Sequence, residues 1–310
     1  MQESVSLKGC YLNRFHQAML NVYELIISQP EHFKQLKVKD LLFVNYVCPQ
    51  TDALLDIYTH FHFIIYIFSG ERIIHRPEKS LRLTEGKCAF VKKGAYRQQR
   101  IEDTDLCVLA FFMPDSYLKN FIQEYRFKMP ASSSRDQLHD GILDIRINET
   151  TRGFFYSMLP YFTQANPPSE ALLELKFREL IFNILSNPEN SSLLGYICSI
   201  SDESKPSLQE IMESNYMYHL SLDEYAKISH RSLASFKRDF FQLFHTSPGK
   251  WLSQQRLQHA GMLLKTTRKA INDVAFESGF ENVSHFSKAF KEQFGLSPLN
   301  FRKELLLKSL

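Results

Sequence analysis

Residues 221–248 read SLDEYAKISHRSLASFKRDFFQLFHTSP, and residues 270–298 read AINDVAFESGFENVSHFSKAFKEQFGLSP. Shifted by 50 positions, Phe236 falls on Phe286, Arg238 on Lys288, Phe240 on Phe290, Phe244 on Phe294 and Ser247-Pro248 on Ser297-Pro298. Upstream, Ala226 meets Ala275 at a shift of 49, so the second copy carries one extra residue before its longer helix. An ordered run of matches this dense marks an internal repeat of one supersecondary unit. In each copy the pattern predicts a short helix, a tight turn and a second helix. Copy one has Leu222–Ser229, a turn at His230-Arg231, and Ser232 capping a helix to Phe244 that buries Phe236, Phe240, Leu243 and Phe244. Copy two has Ala270–Ser278, a turn at Gly279, and Asn282 capping a helix to Phe294 that buries Phe286, Phe290 and Phe294. A long helix over Lys250–Leu264 joins the copies.

Two helices joined by a short turn form a helix-turn-helix, whose second helix has the width to enter a DNA major groove. Polar side chains on its outer face can reach base edges, and a capped helix start offers N–H groups to phosphates. The outer faces expected to contact double-stranded DNA are Ser232, Ala234, Ser235, Lys237, Arg238 and Gln242 in copy one. In copy two they are Asn282, Ser284, His285, Ser287, Lys288 and Lys291. The connecting helix would act as a strut that sets the two reading helices about one DNA turn, ~34 Å, apart. Charge agrees in direction. Residues 206–310 hold 14 basic and 10 acidic side chains, leaving 23 basic and 24 acidic in residues 1–205, so the excess of +3 comes from the final third.

The last hundred residues resemble the DNA-binding domain of the AraC/XylS family of bacterial transcription regulators. The matching stretches are LDEYAKISHRSLASFKRDF, TSPGKWLSQQRLQHAGMLL and INDVAFESGFENVSHFSKAFKEQFGLSPLNFRK. The resemblance implies reading positions at Ala234, Lys237 and Arg238, with Ser232 at the helix start, and at Ser284, His285, Ser287 and Lys288. It also implies a contact with RNA polymerase, a homodimer and an activating role. One departure stands out. The first turn of the family usually has Gly where this chain has His230, which predicts a residue strained at positive φ.

The 310 residues suit two domains, and the 44% of hydrophobic residues suffice for sizeable cores. Residues 1–35 show helical spacing at Phe15, Met19, Val22, Leu25 and Ile26. Short apolar runs follow at Leu41–Val47, Phe61–Phe68, Arg72–His75, Cys88–Val91 and Leu106–Phe112, separated by turn signals, which predicts a sandwich or small barrel. From about 115 to 200 the periodicity turns helical. Its clearest helix, Ser169–Leu185, carries one apolar stripe of Leu173, Phe177, Leu180, Ile181 and Ile184, either core packing or a dimerisation seam. The polar stretch Ser199–Pro206 separates residues 1–200 from 207–310, with the linker at 201–206.

Within the family, THFHFIIYIFSGE and LRLTEGKCAFVKKGAYR resemble strands of a cupin-like barrel. The expected fold class is therefore α+β: an N-terminal cupin-like β-barrel with flanking helices, then an all-α domain with two helix-turn-helix units joined by a long helix. ALLELKFRELIFNILSNP and SLQEIMESNY resemble the branch that includes activators of type III secretion, which implies control by a protein partner. A small-molecule or protein effector would act on this front domain.

Other function classes find little support. His60 and His62 alternate as strand ligands would, but no complete metal set accompanies them, so no metal or other cofactor is expected and both are read as surface or turn histidines. An enzyme built on the barrel, with the tail as accessory, would need a convergent acid–base or metal set, and no GxSxG, HExxH, Walker or GxGxxG pattern is present. A helical adaptor acting through the Ser169–Leu185 stripe is the third reading. Five cysteines (Cys10, Cys48, Cys88, Cys107, Cys198) without a CxxC fit a reducing, cytoplasmic setting. The apolar runs fall short of the ~20 residues of a membrane span, and the start MQESVSLKGC has no signal-peptide core, so neither a membrane nor secretion is expected.

Overall fold

A computed structural model describes residues 19–48, 53–77, 79–101, 105–128, 140–164, 166–201 and 207–308. The expected helical position Phe15 and most of the 201–206 linker lie outside them. The chain divides into two compact units, Met1–Glu210 and Ile211–Leu310. The division falls within the helix Leu208–Asn215, a little beyond the expected boundary.

The first unit begins with β1 (Leu20–Asn21) and α1 (Val22–Ser28). Nine strands follow: β2 (Lys34–Val38), β3 (Leu41–Val47), β4 (Leu54–Thr59), β5 (His62–Ser69), β6 (Arg72–His75), β7 (Ser80–Leu83), β8 (Cys88–Val91), β9 (Gly94–Arg100) and β10 (Cys107–Met113). They form two sheets, β1-β4-β9-β6-β7 and β11-β8-β5-β10-β3-β2, where β11 is Ile142–Ile145. One core lies between the sheets and takes Ile57, Ile74, Leu83 and Tyr96 from the five-stranded sheet and Val44, Ile65, Val91, Val108 and Phe112 from the other.

The six-stranded sheet is buried on its outer face too. Phe43, Ile64, Tyr66, Phe90, Leu109 and Phe111 pack there against α2 (Asp115–Tyr125), α3 (Glu149–Met158), α4 (Glu170–Leu185) and α5 (Ser191–Ser201). A strand covered on both faces needs no polar alternation, which is why β5 and β10 read as continuous apolar runs. The expected strands all appear, within a residue or so of their sequence bounds.

Two expectations are corrected here. The stretch from 115 to 200 is not wholly helical: β11 pairs with β8 from Ile142↔Val91 to Ile145↔Cys88. Four residues are too few for a period to show, and the pairing is made to a strand far away in sequence. The stripe on α4 is not a dimerisation surface. Leu173, Phe177, Leu180, Ile181 and Ile184 are all buried in their own unit, and the Phe177 ring lies 4.8 Å from Phe43 and 5.3 Å from Tyr117. The large apolar side chain that α4 does expose is Leu175.

The second unit is helical: α6 (Leu208–Asn215, shared across the division), α7 (Leu222–Ile228), α8 (Leu233–Phe244), α9 (Pro248–Thr266), α10 (Ile271–Glu277), α11 (Val283–Phe294) and α12 (Pro298–Lys308). Helices α7 and α8 form the first repeated unit, α10 and α11 the second, and α9 is the long connecting helix.

Candidate nucleic-acid interface

Each unit of the repeat is built by caps and a turn. A capping box starts α7: the Ser221 hydroxyl accepts from the Glu224 N–H, and the Glu224 carboxylate accepts from the Ser221 N–H. The chain leaves α7 through His230 at φ 54°, where the His230 N–H donates to the Lys227 carbonyl (3.1 Å) and the Arg231 N–H to the Ala226 carbonyl (2.9 Å). A left-handed residue with this pair of bonds closes the orphan carbonyls of a helix end. Copy two repeats the device with Gly279 at φ 90°: its N–H donates to Phe276, and that of Phe280 to Ala275. Glu281 is then the extra residue, and Asn282 takes the place of Ser232.

Both expected caps are in position. Ser232 accepts from the Ser235 N–H (3.2 Å), and Asn282 Oδ1 accepts from Ser284 (2.8 Å) and His285 (3.1 Å). These two side chains therefore set the start of the reading helix rather than reach outward. The inner faces are aromatic ladders. Phe236, Phe240 and Trp251 pack with Tyr225 and Phe244 in copy one, and Phe286, Phe290 and Phe301 with Phe280 and Phe294 in copy two, mostly in tilted or edge-on ring pairs. Leu243, expected inside, is 49% exposed. At 3.6 residues per turn it lies at the edge of the arc that Phe236 and Phe240 bury.

The outer faces are open. Ala234, Lys237, Arg238 and Gln242 are exposed on α8, as are Ser284, His285, Lys288 and Lys291 on α11, while Ser235 and Ser287 are half-buried. Arg238 is tethered. Its guanidinium donates to the Ser235 hydroxyl and to Asp239 Oδ1, both at 3.2 Å, while Asp239 Oδ2 accepts from Arg231. Ser235 is thus a support for Arg238. The sequence reading overlooked Phe241, 60% exposed, which falls between Lys237 and Ala234 on the helical wheel of α8 and so in the middle of the outer face. Its seven-residue spacing from Ala234 was the available signal.

Helix α9 ties the two copies together. Arg256 donates from Nε to the Tyr216 carbonyl (2.7 Å) and from a terminal nitrogen to the Tyr218 carbonyl (2.8 Å). Burial lowers its affinity for the proton, which the neighbouring Tyr225 and Glu281 oppose. Beside it, Leu252, Ser253, Phe280, Asn282 and His285 line a groove of about 380 Å³ at the start of α11.

Comparisons with known proteins agree with this geometry. Residues 225–304 match the profile described as a helix-turn-helix domain, and residues 62–196 match the profile described as the ExsA N-terminal regulatory domain. The chain belongs to the AraC family of DNA-binding transcription regulators. This regulator is 24% identical over 240 residues to the HTH-type transcriptional regulator ExsA of Pseudomonas aeruginosa, covering 77% of the chain and 85% of that protein. It is 24% identical over 237 residues to the virulence regulon transcriptional activator VirF of Yersinia enterocolitica, covering 76% and 87%. Among solved structures, an apo ToxT variant from Vibrio cholerae aligns over 86% of the chain and 98% of its own, at 13% identity and a TM-score of 0.43.

The front unit of the regulator buries a cluster of His62, Lys93 and Asp115. His62 is wholly buried, not a surface or turn histidine as expected. Its Nδ1 accepts from the Lys93 N–H (3.1 Å) and its Nε2–H donates to Asp115 (2.8 Å), which Lys93 Nζ also contacts at 2.8 Å. Burial lowers the His62 pKa and so keeps it neutral against the pull of Asp115. Burial alone would raise the Asp115 carboxyl, but His62 and Lys93 hold it well below the usual range. The cluster pins β5 to α2. Among the described residues no group of three or more acidic, cysteine or histidine side chains stands ready for a metal, and no helix is long and apolar enough to cross a membrane.

Proposed function

We propose that the regulator is a cytoplasmic transcription activator that reads one operator with α8 and α11 in adjacent major grooves. The repetition of one capped, outward-polar helix on either side of the α9 strut carries this reading, because a single reading helix would not need the second copy's open face. In this reading Arg238, held by Ser235 and Asp239, makes the sequence-specific contact of copy one, since a guanidinium can bond a guanine O6/N7 edge bidentately. Lys237, Lys288 and Lys291, unpaired with any acid among the described residues, take phosphates or base edges. Ser284 and His285 read from the start of α11.

VirF is named an activator, and that name, with the family resemblance, supports an activating contact with RNA polymerase. The resemblance also implies two chains acting together. Because the α4 stripe is buried, such pairing has to use another surface. The front unit receives the signal. The reading is tested by binding full-length protein to a panel of single-base operator variants at two salt concentrations. Arg238→Ala should cost about 1–3 kcal/mol and relax preference at one base pair. Unchanged affinity and preference on every variant would reject the assignment.

A further inference from the structure

The five-stranded sheet of the front unit contains an unusual pair of charges. Strands β6 and β9 are antiparallel, with Arg72 opposite Arg100 and Ile74 opposite Gln98, while β7 places Leu83 opposite Arg72. Side chains directly opposite one another share a face of the sheet. Ile74, Leu83 and Tyr96 belong to the core between the sheets, so this face points inward and carries both arginines with it.

Arg72 is 2% exposed. Its one hydrogen bond within the described residues is a long one, 3.4 Å, from a terminal nitrogen to the Glu71 carbonyl, and its Nε is buried without a partner. The Nε of the half-buried Arg100 is likewise buried without a partner. The acid next to Arg72 in sequence, Glu71, is turned to Arg82 at 2.6 Å.

The other cations of this sheet are served. Arg97 forks onto Asp56 at 2.6 and 2.8 Å. Lys79 meets Asp140 at 2.9 Å. Arg76 has a buried Nε without a partner too, but it donates from both terminal nitrogens to the carbonyls of Lys92, Lys93 and Ala95. Like charges opposite one another in a sheet repel, and a desolvated cation needs an acceptor. Arg72 and Arg100 break the first rule, and within the described residues the buried Arg72 meets the second with one long bond alone, while the Arg100 Nε meets no acceptor.

We propose that Arg72 and Arg100 form an inward-facing site for a phosphoryl group, free or carried by a small molecule. A guanidinium fork matches an oxyanion in shape, and two of them match a dianion in charge. The Tyr46 phenol lies within electrostatic range of Arg72 and is kept protonated by burial, so it adds a neutral donor, and Gln98 lies one register step away. Ile74 and Leu83 supply apolar cover. The proposal assigns a ligand chemistry to the signal-receiving unit and stands independently of how α8 and α11 read DNA.

The test follows thermal unfolding of the full chain with inorganic phosphate, glycerol phosphate or acetate, at ionic strength matched with chloride. A saturable rise in Tm with phosphate or with the ester, and not with acetate, is expected. A response to inorganic phosphate marks the free ion as ligand, and a response to the ester alone marks a phosphorylated metabolite. Arg72→Gln and Arg100→Gln should each abolish it, while Arg82→Gln, an exposed control, should keep it. Arg100→Gln should also raise the Tm of the ligand-free protein, because it removes one of two repelling charges. The proposal is overturned if neither phosphate compound gives a saturable response, if the arginine variants respond like wild type, or if Arg100→Gln lowers the ligand-free Tm, which would make Arg100 a structural residue.

Discussion

The two helix-turn-helix copies solve one backbone problem with different residues. Copy one places histidines at both left-handed positions, His230 (φ 54°) in the turn and His245 (φ 52°) after α8. Copy two places glycines there, Gly279 (φ 90°) and Gly295 (φ 78°). Space separates the two glycines. A Cβ on Gly279 would lie 2.6 Å from the Met217 carbonyl oxygen and 3.0 Å from Arg256 Nε, whereas one on Gly295 would meet nothing within 4 Å. The turn of copy two is thus wedged against the strap that Arg256 holds, while His230 sits exposed. The outer faces differ as well. Where copy one carries Phe241, copy two carries Lys291. The comparison teaches that a repeated fold need not repeat its surface: copy two has the anchored turn and a lysine on its outer face where copy one has an apolar ring, and copy one has an internally tethered arginine.

The largest effect should come from the crowded turn. Gly279→Ala should destabilise the helical unit by about 2–4 kcal/mol, because positive φ and a backbone clash act together. Chemical denaturation of the full chain would measure it. A loss no larger than that of Gly295→Ala would show that the wedge does not matter.

Next comes the exchange of Phe241 for a lysine position. Lys291→Ala should weaken binding to all sequences alike, by about 1 kcal/mol, and flatten the salt dependence by roughly one unit of slope. Phe241→Ala should leave that slope unchanged and alter preference only where a thymine methyl is met. Equal salt slopes for the two variants would erase the distinction between the copies.

The smallest effect should be a gain. His230→Gly should stabilise by about 0.5–1 kcal/mol, the relief of a left-handed side chain less the extra freedom of the unfolded glycine. A destabilisation would mean that the His230 side chain makes contacts that outweigh its strain.

Much of this architecture could be read in the residues. The repeat, both caps and the extra residue of copy two follow from spacing and from what a helix start demands, and the strain at His230 from the resembled family's glycine at that turn. The doubly covered strands β5 and β10 announced themselves as apolar runs. Three features stayed hidden because they depend on distant partners. β11 is a strand only because β8 lies beside it. The α4 stripe has the same pattern whether it packs inward or on a second chain, and only the faces of Phe43 and Tyr117 decide. Arg72 and His62 are polar residues at strand positions whose burial no local pattern predicts. Ser235 is different: its bonds to Arg238 and Asp239 are made at i+3 and i+4 within α8, so their spacing is present in the sequence itself.

The central claim, that both copies read DNA, is best tested by selecting bound duplexes from a random library with full-length wild type, Arg238→Ala and His285→Ala/Lys288→Ala. The account predicts two blocks of specified bases about 10 base pairs apart, with Arg238→Ala erasing one block and the α11 variant the other. A single block, or the same block lost in both variants, would contradict it.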